Sequence, residues 1–368
     1  MNENYIKDLI SVCCLTYNHE NFIRESIESI WGQCYRNIEI LVLDDGSSDN
    51  SYMELKNLQK ESPFPMTVIK QENSGNIPKN VNTIIKKSRG AYITFMSMDD
   101  VLNRDAFSEK MKLMKGDHNL VFVTNSLIDK IDNNSAILKT NIPIGKDNII
   151  LPKTANQLLD LEYELSFCPF NQATVFTRKL IDVIGGFDED LTGDDIILRT
   201  KVAKYMIQNP ELNFKILNCS GFRYRIHETN LHKNYLRQLN TYHGWMLRYF
   251  PDRQVSAALL AKIRYYIFIS IKNNGLEDLQ YILKLLNDLV KRDMVTSSAS
   301  LLDFFSLHNM SSKRKYGVPF VLEFVKDENI FLSQKSKNLI CLGMNIFSYE
   351  KILLQRRYKL FGIPICTG

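Results

Sequence analysis

Short apolar runs alternate with amphipathic segments along the first two thirds of the chain. Residues 10–16, 38–43 and 91–96 form apolar runs with the length and continuity of strands buried on both faces. The intervening segments carry apolar residues at helical spacing, and Pro78 lies where one such helix begins, a position that favours proline. This alternation predicts right-handed βαβ units and a mostly parallel, Rossmann-like central sheet flanked by helices, hence an α/β fold.

The hydrophobic pattern changes near residue 240. Leucine, tyrosine and lysine then recur with helical period to residue 295, and again from about residue 320. We therefore predict an α/β domain over residues 1–239 and a mainly α-helical C-terminal region over residues 240–368. Because basic and aromatic residues mix along its first helices, this region is a candidate for acceptor binding or for contact with a membrane surface.

Charge and cysteine content indicate the cellular compartment of the protein and the surfaces it contacts. Residues 262–368 carry 16 Lys or Arg and 9 Asp or Glu, a balance of +7 within a net charge of +5, so the remainder is −2. A basic tail beside a near-neutral body is typical of contact with an anionic surface, and a set of solvated helix faces explains it equally well. The seven cysteines form no C-x-x-C pair, and the amino terminus lacks a signal-peptide core, which predicts a cytoplasmic protein.

Acidic pairs follow two of the predicted strands. Asp44 and Asp45 come directly after the second apolar run, and Asp99 and Asp100 follow the run that ends near Met96. Because parallel strands of such a sheet meet a ligand at their carboxyl ends, these acids are expected at one edge. No glycine-rich phosphate loop accompanies them, which favours a metal-bridged diphosphate over a dinucleotide.

These motifs, in their order and spacing, resemble those of family 2 glycosyltransferases of GT-A fold, of the type that assembles bacterial polysaccharides such as O-antigen or lipopolysaccharide. The resemblance covers about residues 8–235. It rests on Ser11–Asn18 as SVCCLTYN, Ile40–Asp49 as ILVLDDGSSD, Asn73-Ser74-Gly75 with Lys79-Asn80, Gly90–Ile93 as GAYI leading to Asp99-Asp100, Gly185–Asp188 as GGFD, Gly193-Asp194-Asp195, and Tyr224–His227 as YRIH.

The resemblance implies a role for each matching position. Residues implied to bind the nucleotide sugar, with Asp45 on the base, are Thr16, Tyr17, Asn18, Asp44, Asp45, Asn73, Gly75, Lys79, Asn80, Met98 and Asp99. Residues implied for catalysis are Asp195, as general base, and Asp194. Residues implied for acceptor binding are Gly186, Phe187 and Asp188, with the phenyl ring stacked on a sugar. Arg225 and His227 are implied to approach the diphosphate, and Asp99 with His227 a divalent Mn²⁺ or Mg²⁺ ion.

Two positions depart from the family pattern. Ser97 stands where the family's D-x-D motif has its first acid, and Asp194 stands where a glutamate is usual. The implied reaction is inverting transfer of a sugar from a nucleotide-diphosphate donor to a hydroxyl of a lipid-linked glycan, at the cytoplasmic face of the inner membrane as a peripheral protein. No nucleic-acid partner is implied.

Two other functions remain compatible with the sequence. A non-catalytic sugar-nucleotide or glycan-binding module would explain Ser97, but it would need no acidic pair at Asp194 and Asp195. A sugar nucleotidyltransferase would also use paired acids and metal, but it normally needs a glycine-rich basic loop near the amino terminus, and residues 16–21 do not form one.

Overall fold

The computed structural model describes residues 5–146, 148–193, 195–228, 230, 234–272, 276–292, 294–295, 331–333, 338–341, 344–348, 357–360 and 363–366. The chain divides into two compact units, Met1–Lys233 and Asn234–Gly368. The sequence-based boundary after residue 239 falls inside a helix, Tyr235–Tyr249, that belongs to the second unit. Each unit is described by itself below.

The first unit contains one large mixed sheet with helices packed on it. Its strands are β1 (Ile6–Thr16), β2 (Ile38–Asp44), β3 (Met66–Lys70), β4 (Gly90–Ser97), β5 (Val101–Leu102), β6 (Leu120–Ile131), β7 (Ile137–Pro143), β8 (Val175–Thr177) and β9 (Asn213–Arg225). Its helices are α1 (Ile23–Trp31), α2 (Ser51–Glu61), α3 (Ile77–Lys87), α4 (Ser108–Gly116), α5 (Ala155–Tyr163), α6 (Arg178–Val183) and α7 (Asp195–Gln208).

The strand order is β3-β2-β1-β4-β8-β6-β9-β5, with β7 paired to β6. Strands β1 to β4 are mutually parallel, as the alternation of strands and helices predicts. Every residue of β2 is buried, which agrees with its continuous apolar sequence. Because β1 lies between β2 and β4, the two acidic strand ends flank the end of β1 on either side.

Some elements differ from the sequence-based expectation. Strand β9 is continuous where two short strands were predicted, because it pairs in parallel with β6 along its length. The hairpin strand β7 was not predicted; nearly all of its residues are exposed, so it lacks the apolar alternation that marks a half-buried strand.

In the second unit, α8 (Tyr235–Tyr249), α9 (Ala257–Lys272) and α10 (Leu276–Lys291) confirm the helical prediction. The helical pattern predicted from about residue 320 is wrong for the described residues beyond it. They form five short strands, β10 (Phe331–Ser333), β11 (Asn338–Cys341), β12 (Met344–Ser348), β13 (Arg357–Leu360) and β14 (Ile363–Cys366). Tight antiparallel pairing between neighbouring segments overrides the local helical period there.

Candidate functional site

The two aspartates at the end of β2 have different contacts. Asp44 accepts hydrogen bonds within the turn that follows β2, whereas Asp45 accepts them from the segment that follows β3. We call Asp44 and Asp45, with their contacts, the β2 end. The Oδ1 atom of Asp44 accepts bonds from the backbone N–H and the hydroxyl of Ser47, so this carboxylate closes the turn. Gly46, at φ 75°, makes that turn possible, because a Cβ atom there would lie 2.5 Å from the Asn73 nitrogen.

Asp45 is held by the segment that follows β3. Its Oδ1 accepts bonds from Gln71 Nε2 at 2.7 Å, Ser74 N at 2.9 Å and Ser74 Oγ at 3.1 Å. Asn80 Oδ1 accepts from the same Gln71 and Ser74 groups, which fixes all of these side chains together. Burial acts to raise the pKa of Asp45, but the bonds from Ser74 and Gln71 outweigh it and hold the pKa below its usual value. Asp45 is therefore a fixed, ionised acceptor.

The other residues predicted for the β2 end differ in exposure. Thr16 is buried, and its backbone oxygen accepts from Asp45 N at 3.0 Å, whereas Tyr17 is 46% exposed. Asn18 adopts a left-handed φ of 55° and caps the Ser47–Ser48 turn. Lys79 is exposed on the first turn of α3. The loop at Asn73 and Gly75 is exposed beside it, closed by an Asn73 Oδ1 bond from Gly75 N at 2.8 Å.

The acidic pair after β4 is built from a different set of contacts. We call Ser97–Asp100 with their contacts the β4 end. Asp99 Oδ2 lies 2.9 Å from His227 Nε2, so the sequence-predicted pair is brought together. Burial acts to raise the pKa of Asp99, but the His227 hydrogen bond and the nearby His19 outweigh it and lower the pKa to about 2. Asp99 is thus kept ionised although it is buried.

Asp100 supports the β4 end from inside. Its Oδ1 accepts from Arg225 N at 2.7 Å and its Oδ2 from Gln172 Nε2 at 2.6 Å. Burial, and then the charge of Asp99, raise the pKa of Asp100 well above its usual value. The two neighbouring carboxyls therefore have opposite preferences, Asp99 for the charged form and Asp100 for the neutral one.

Arg225, which was predicted to approach the diphosphate, is bonded to other parts of the protein instead. The side chain is fully buried, and its guanidinium donates to Asp99 O at 2.7 Å, to Asp132 O at 2.9 Å and to Glu25 Oε2 at 2.5 Å. It also lies over the Phe22 ring, 4.8 Å from the centroid. Arg225 therefore ties the β4 end to α1 and to the β6–β7 turn, because all of these contacts are internal.

Two other residues that were predicted to contact a ligand, Met98 and Phe187, also have buried side chains. The Met98 side chain is fully buried in the core. Phe187 is buried edge-to-face against Phe95, at 5.3 Å between centroids, so its ring is not available to stack on a sugar. The neighbouring Gly186 carbonyl and Asp188 carboxylate both accept from Lys201 Nζ, at 2.6 and 2.8 Å.

Asp195 is the first residue of α7, where the helix dipole favours a negative charge. Its side chain is 39% exposed and its carboxylate lies 3.8 Å from Arg199, which is itself paired with the buried Glu162 at 3.0 Å. After burial, the charges of Asp100, Asp99 and Asp195 together raise the pKa of Tyr224. The charges of Asp195 and of the β4 end therefore act on the same tyrosine side chain. Asp194 lies outside the described residues.

The β4 end fits a divalent cation through a single carboxylate. Asp99 Oδ1 is buried and finds no hydrogen-bond partner in the described part of the chain. No group of three or more His, Cys, Asp or Glu suited to a metal occurs among the described residues. A Mg²⁺ or Mn²⁺ ion there would thus take few protein ligands and complete its shell with diphosphate and water oxygens, as such ions commonly do.

The comparisons with known proteins agree with this arrangement. Residues 11–184 match the model of the family described as "Glycosyl transferase family 2". That segment, slightly less than half of the chain, is similar to the members of this family. It includes both acidic strand ends and Gln172, and the chain continues beyond it with α7 and β9.

Two relatives and one solved structure illustrate the family. An uncharacterized glycosyltransferase of Rickettsia felis is 30% identical over 148 residues, 39% of this chain and 24% of the relative. The GalNAc(5)-diNAcBac-PP-undecaprenol beta-1,3-glucosyltransferase of Campylobacter jejuni is 28% identical over 200 residues, 53% of this chain and 60% of the relative. The chain thus spans less than two thirds of either relative's length.

The solved structure is TarS of S. aureus, residues 1–349, in complex with UDP-GlcNAc. It shares 16% identity, with a TM-score of 0.53 over 83% of this chain and 87% of that one. This likeness shows the GT-A fold, which the sequence predicted.

Several residues at the site were missed by sequence reasoning. Gln71 follows the end of β3 directly, so a strand-end rule could have found it. Gln172, Glu25 and Glu162 carry no such signal, because each acts on residues far away in the sequence. His19 adjoins the predicted Asn18, and its buried Nδ1 finds no partner within the described residues.

Proposed function

We propose that this protein is an inverting glycosyltransferase that moves a sugar from a nucleotide-diphosphate donor to an acceptor hydroxyl. The observation that carries the proposal is the placement of three acids. Asp45 follows β2 and Asp99 follows β4, the two strands on either side of β1, and the charges of Asp99 and Asp195 both act on Tyr224. The family of residues 11–184 supports the same chemistry.

Asp45 binds the base of the donor in this proposal. A carboxylate held ionised accepts hydrogen bonds and donates none, so it suits the imide N–H of uracil or the N–H groups of guanine. Adenine and cytosine present an unprotonated ring nitrogen at the corresponding edge, which the carboxylate would repel. The UDP-GlcNAc complex of TarS makes a uridine nucleotide the first donor class to test.

Asp99 holds the diphosphate half of the donor, with His227 beside it. A divalent cation bound there would neutralise the charge that develops on the departing diphosphate. The chain's own contribution is to keep Asp99 ionised and fixed. His227 bonds its Oδ2, and Arg225 bonds its backbone oxygen, so little reorganisation is needed when the donor binds.

Asp195 acts as the general base. Its carboxylate takes the proton of the acceptor hydroxyl while that oxygen bonds to the anomeric carbon. The bond from the anomeric carbon to the diphosphate oxygen breaks in the same step, and its electron pair leaves with the diphosphate. Attack from the face opposite the leaving group inverts the anomeric configuration.

The proposed acceptor is a lipid-linked glycan of a surface polysaccharide. The name of the Campylobacter jejuni relative specifies an undecaprenol-diphosphate-linked acceptor, and the last third of this chain is basic. Such an acceptor would place the protein at the cytoplasmic face of the inner membrane as a peripheral protein. Among the described residues, no helix combines the length and apolarity needed to cross a bilayer.

The test combines a donor panel with one substitution. The protein is incubated with UDP-, GDP- and dTDP-sugars and Mn²⁺, and release of nucleoside diphosphate is measured. We expect metal-dependent turnover of one donor class, and loss of that turnover without loss of donor binding in Asp195→Asn. Binding of a donor without turnover of any, in the presence of lipid-linked acceptors, would instead identify a non-catalytic sugar-nucleotide module.

A further inference from the structure

A glutamine outside all of the predicted motifs bridges Ser97 and Asp100, the first and last residues of the β4 end. Gln172 Oε1 accepts from the Ser97 backbone N–H at 3.0 Å. Its Nε2 donates to Asp100 Oδ2 at 2.6 Å. One amide side chain therefore bonds both ends of the Ser97–Asp100 segment. Gln172 lies 72 positions from Asp100 in the sequence.

This bridge lies on either side of Asp99 in the sequence, and the Asp99 carboxylate has one oxygen, Oδ1, without a hydrogen-bond partner among the described residues. Both Asp100 oxygens already accept hydrogen bonds within the protein, from Gln172 and from Arg225 N. Ser97 supplies no carboxylate where the family motif has its first acid. Asp99 Oδ1 is buried without a partner among the described residues, so ligand binding at this end depends on how well Asp99 is placed.

We propose that Gln172 is a positioning residue that fixes Asp99, and through it the diphosphate half of the donor site. The inference rests on the proposed function. Gln172 touches neither the donor nor Asp99 in this scheme; it holds the backbone before Asp99 and the side chain after it. Groups that orient the direct ligands of a metal site typically change its affinity by about 10- to 100-fold when they are removed.

Gln71 is the matched counterpart at the β2 end. Its Nε2 donates to Asp45 Oδ1 and Asn80 Oδ1, both at 2.7 Å, so it supports the carboxylate proposed to hold the base. Both glutamines are half-buried, and both bond an acidic strand end. The same substitution at the two positions thus perturbs opposite halves of the donor site with the same change in side-chain chemistry.

The experiment measures equilibrium binding by calorimetry, without turnover. Uridine probes the β2 end alone, and UDP with Mn²⁺ probes both ends. For Gln172→Leu we expect at least about a tenfold loss of affinity for UDP with Mn²⁺. Its affinity for uridine should stay within about twofold of wild type, the usual scatter of changes away from a site. For Gln71→Leu we expect both ligands to lose affinity by similar factors.

Two outcomes would overturn the inference alone. Wild-type affinity of Gln172→Leu for UDP with Mn²⁺ would show that Asp99 needs no bridge, and an equal loss for uridine would show a general structural effect. If Gln172→Leu does not fold, Gln172→Asn gives the same comparison, because it keeps the amide but is one methylene too short to reach both partners. Failure of the wild-type protein to bind UDP, GDP or their nucleosides would instead overturn the proposed function, and this inference with it.

Discussion

The β2 end and the β4 end have nearly the same sequence and opposite internal roles. Each is an Asp-Asp pair after a buried parallel strand. At the β2 end the first acid, Asp44, closes the turn and the second, Asp45, is held by neutral donors. At the β4 end the second acid, Asp100, is the internal support, and the first, Asp99, has one oxygen without a partner among the residues that the structure describes.

The groups that hold Asp45 and Asp99 also differ in their charge and in their distance along the sequence. Asp45 is held by Gln71, Ser74 and Asn80 of the next strand connection, so it depends on local chain geometry. Asp99 is held by His227 and Arg225, both more than 120 positions away, as the separations of 128 and 126 show. We infer that substitutions throughout the first unit can alter the geometry of the β4 end. The geometry of the β2 end is altered mainly by substitutions in its own loop.

The largest expected effect follows from removing Arg225. Arg225→Met leaves Asp99 O, Asp132 O and Glu25 without their donor, and breaking such a buried charged contact costs about 3 kcal/mol of unfolding free energy. Denaturant unfolding measures this, and Arg24→Met is the control because its ion pairs are exposed and screened by solvent, so their loss should cost far less. Equal losses for both variants would contradict the long-range support of the β4 end.

Asp99→Asn should strongly reduce turnover. Loss of a group that stabilises transition-state charge costs on the order of 10² to 10³ in kcat. We expect uridine binding to be unchanged, because the β2 end is intact. The measurement is steady-state kinetics with the preferred donor, with exposed Asp105→Asn as control. A loss confined to KM would show that Asp99 only binds the donor.

Asp45→Asn should show the reverse pattern. The neutral amide loses a charge-assisted hydrogen bond to the base, worth about 1.5–3 kcal/mol, so uridine affinity should fall by roughly 10- to 100-fold. The kcat at saturating donor should change far less, since Asp45 is remote from the reacting bond in the proposed mechanism. Calorimetry with uridine measures the loss of binding, and steady-state kinetics measures the change in kcat. A fall in kcat as large as that of Asp99→Asn would contradict the separate roles of Asp45 and Asp99.

Gly46→Ala tests whether the β2 end depends on its own loop. The substitution places a methyl group 2.5 Å from Asn73 N at a left-handed φ, so we expect a cost of about 1–3 kcal/mol and weaker uridine binding. Gly116→Ala is the matched control, because an added Cβ atom there meets no other atom within 4 Å. Unaltered uridine affinity in Gly46→Ala would show that this turn does not shape the base site.

The smallest expected effect is that of pH on uridine binding. The pKa of Asp45 is held below its usual value, so the carboxylate stays ionised above that value and loses its charge only in stronger acid. Affinity for uridine should therefore change by less than about twofold between about pH 5 and pH 7. A steep fall in affinity toward pH 5 would show that another group controls the base site.

The sequence by itself predicted that β1 to β4 belong to a mostly parallel sheet and that Asp45 and Asp99 lie at the carboxyl ends of its strands. A continuous apolar run, and an acid at its end, are properties of the local sequence. They therefore do not depend on contacts with the rest of the chain. Through its resemblance to the family, the sequence also predicted that Asp99 and His227 lie near one metal ion, and the structure brings Asp99 Oδ2 to 2.9 Å from His227 Nε2. On the same basis it predicted an acceptor-facing Phe187 and a diphosphate-facing Arg225, and the structure buries both side chains.

Only the tertiary structure decided which acid of each pair faces inward. That choice depends on Gln71, Gln172 and Arg225, whose side chains reach the acids through contacts that no local spacing encodes. A buried carboxylate takes the protonation state and orientation that its nearest donors favour, and those donors arrive from β9 and from the segment before β8. For that reason two similar Asp-Asp sequences became a loop-held acceptor at β2 and a core-held carboxylate at β4.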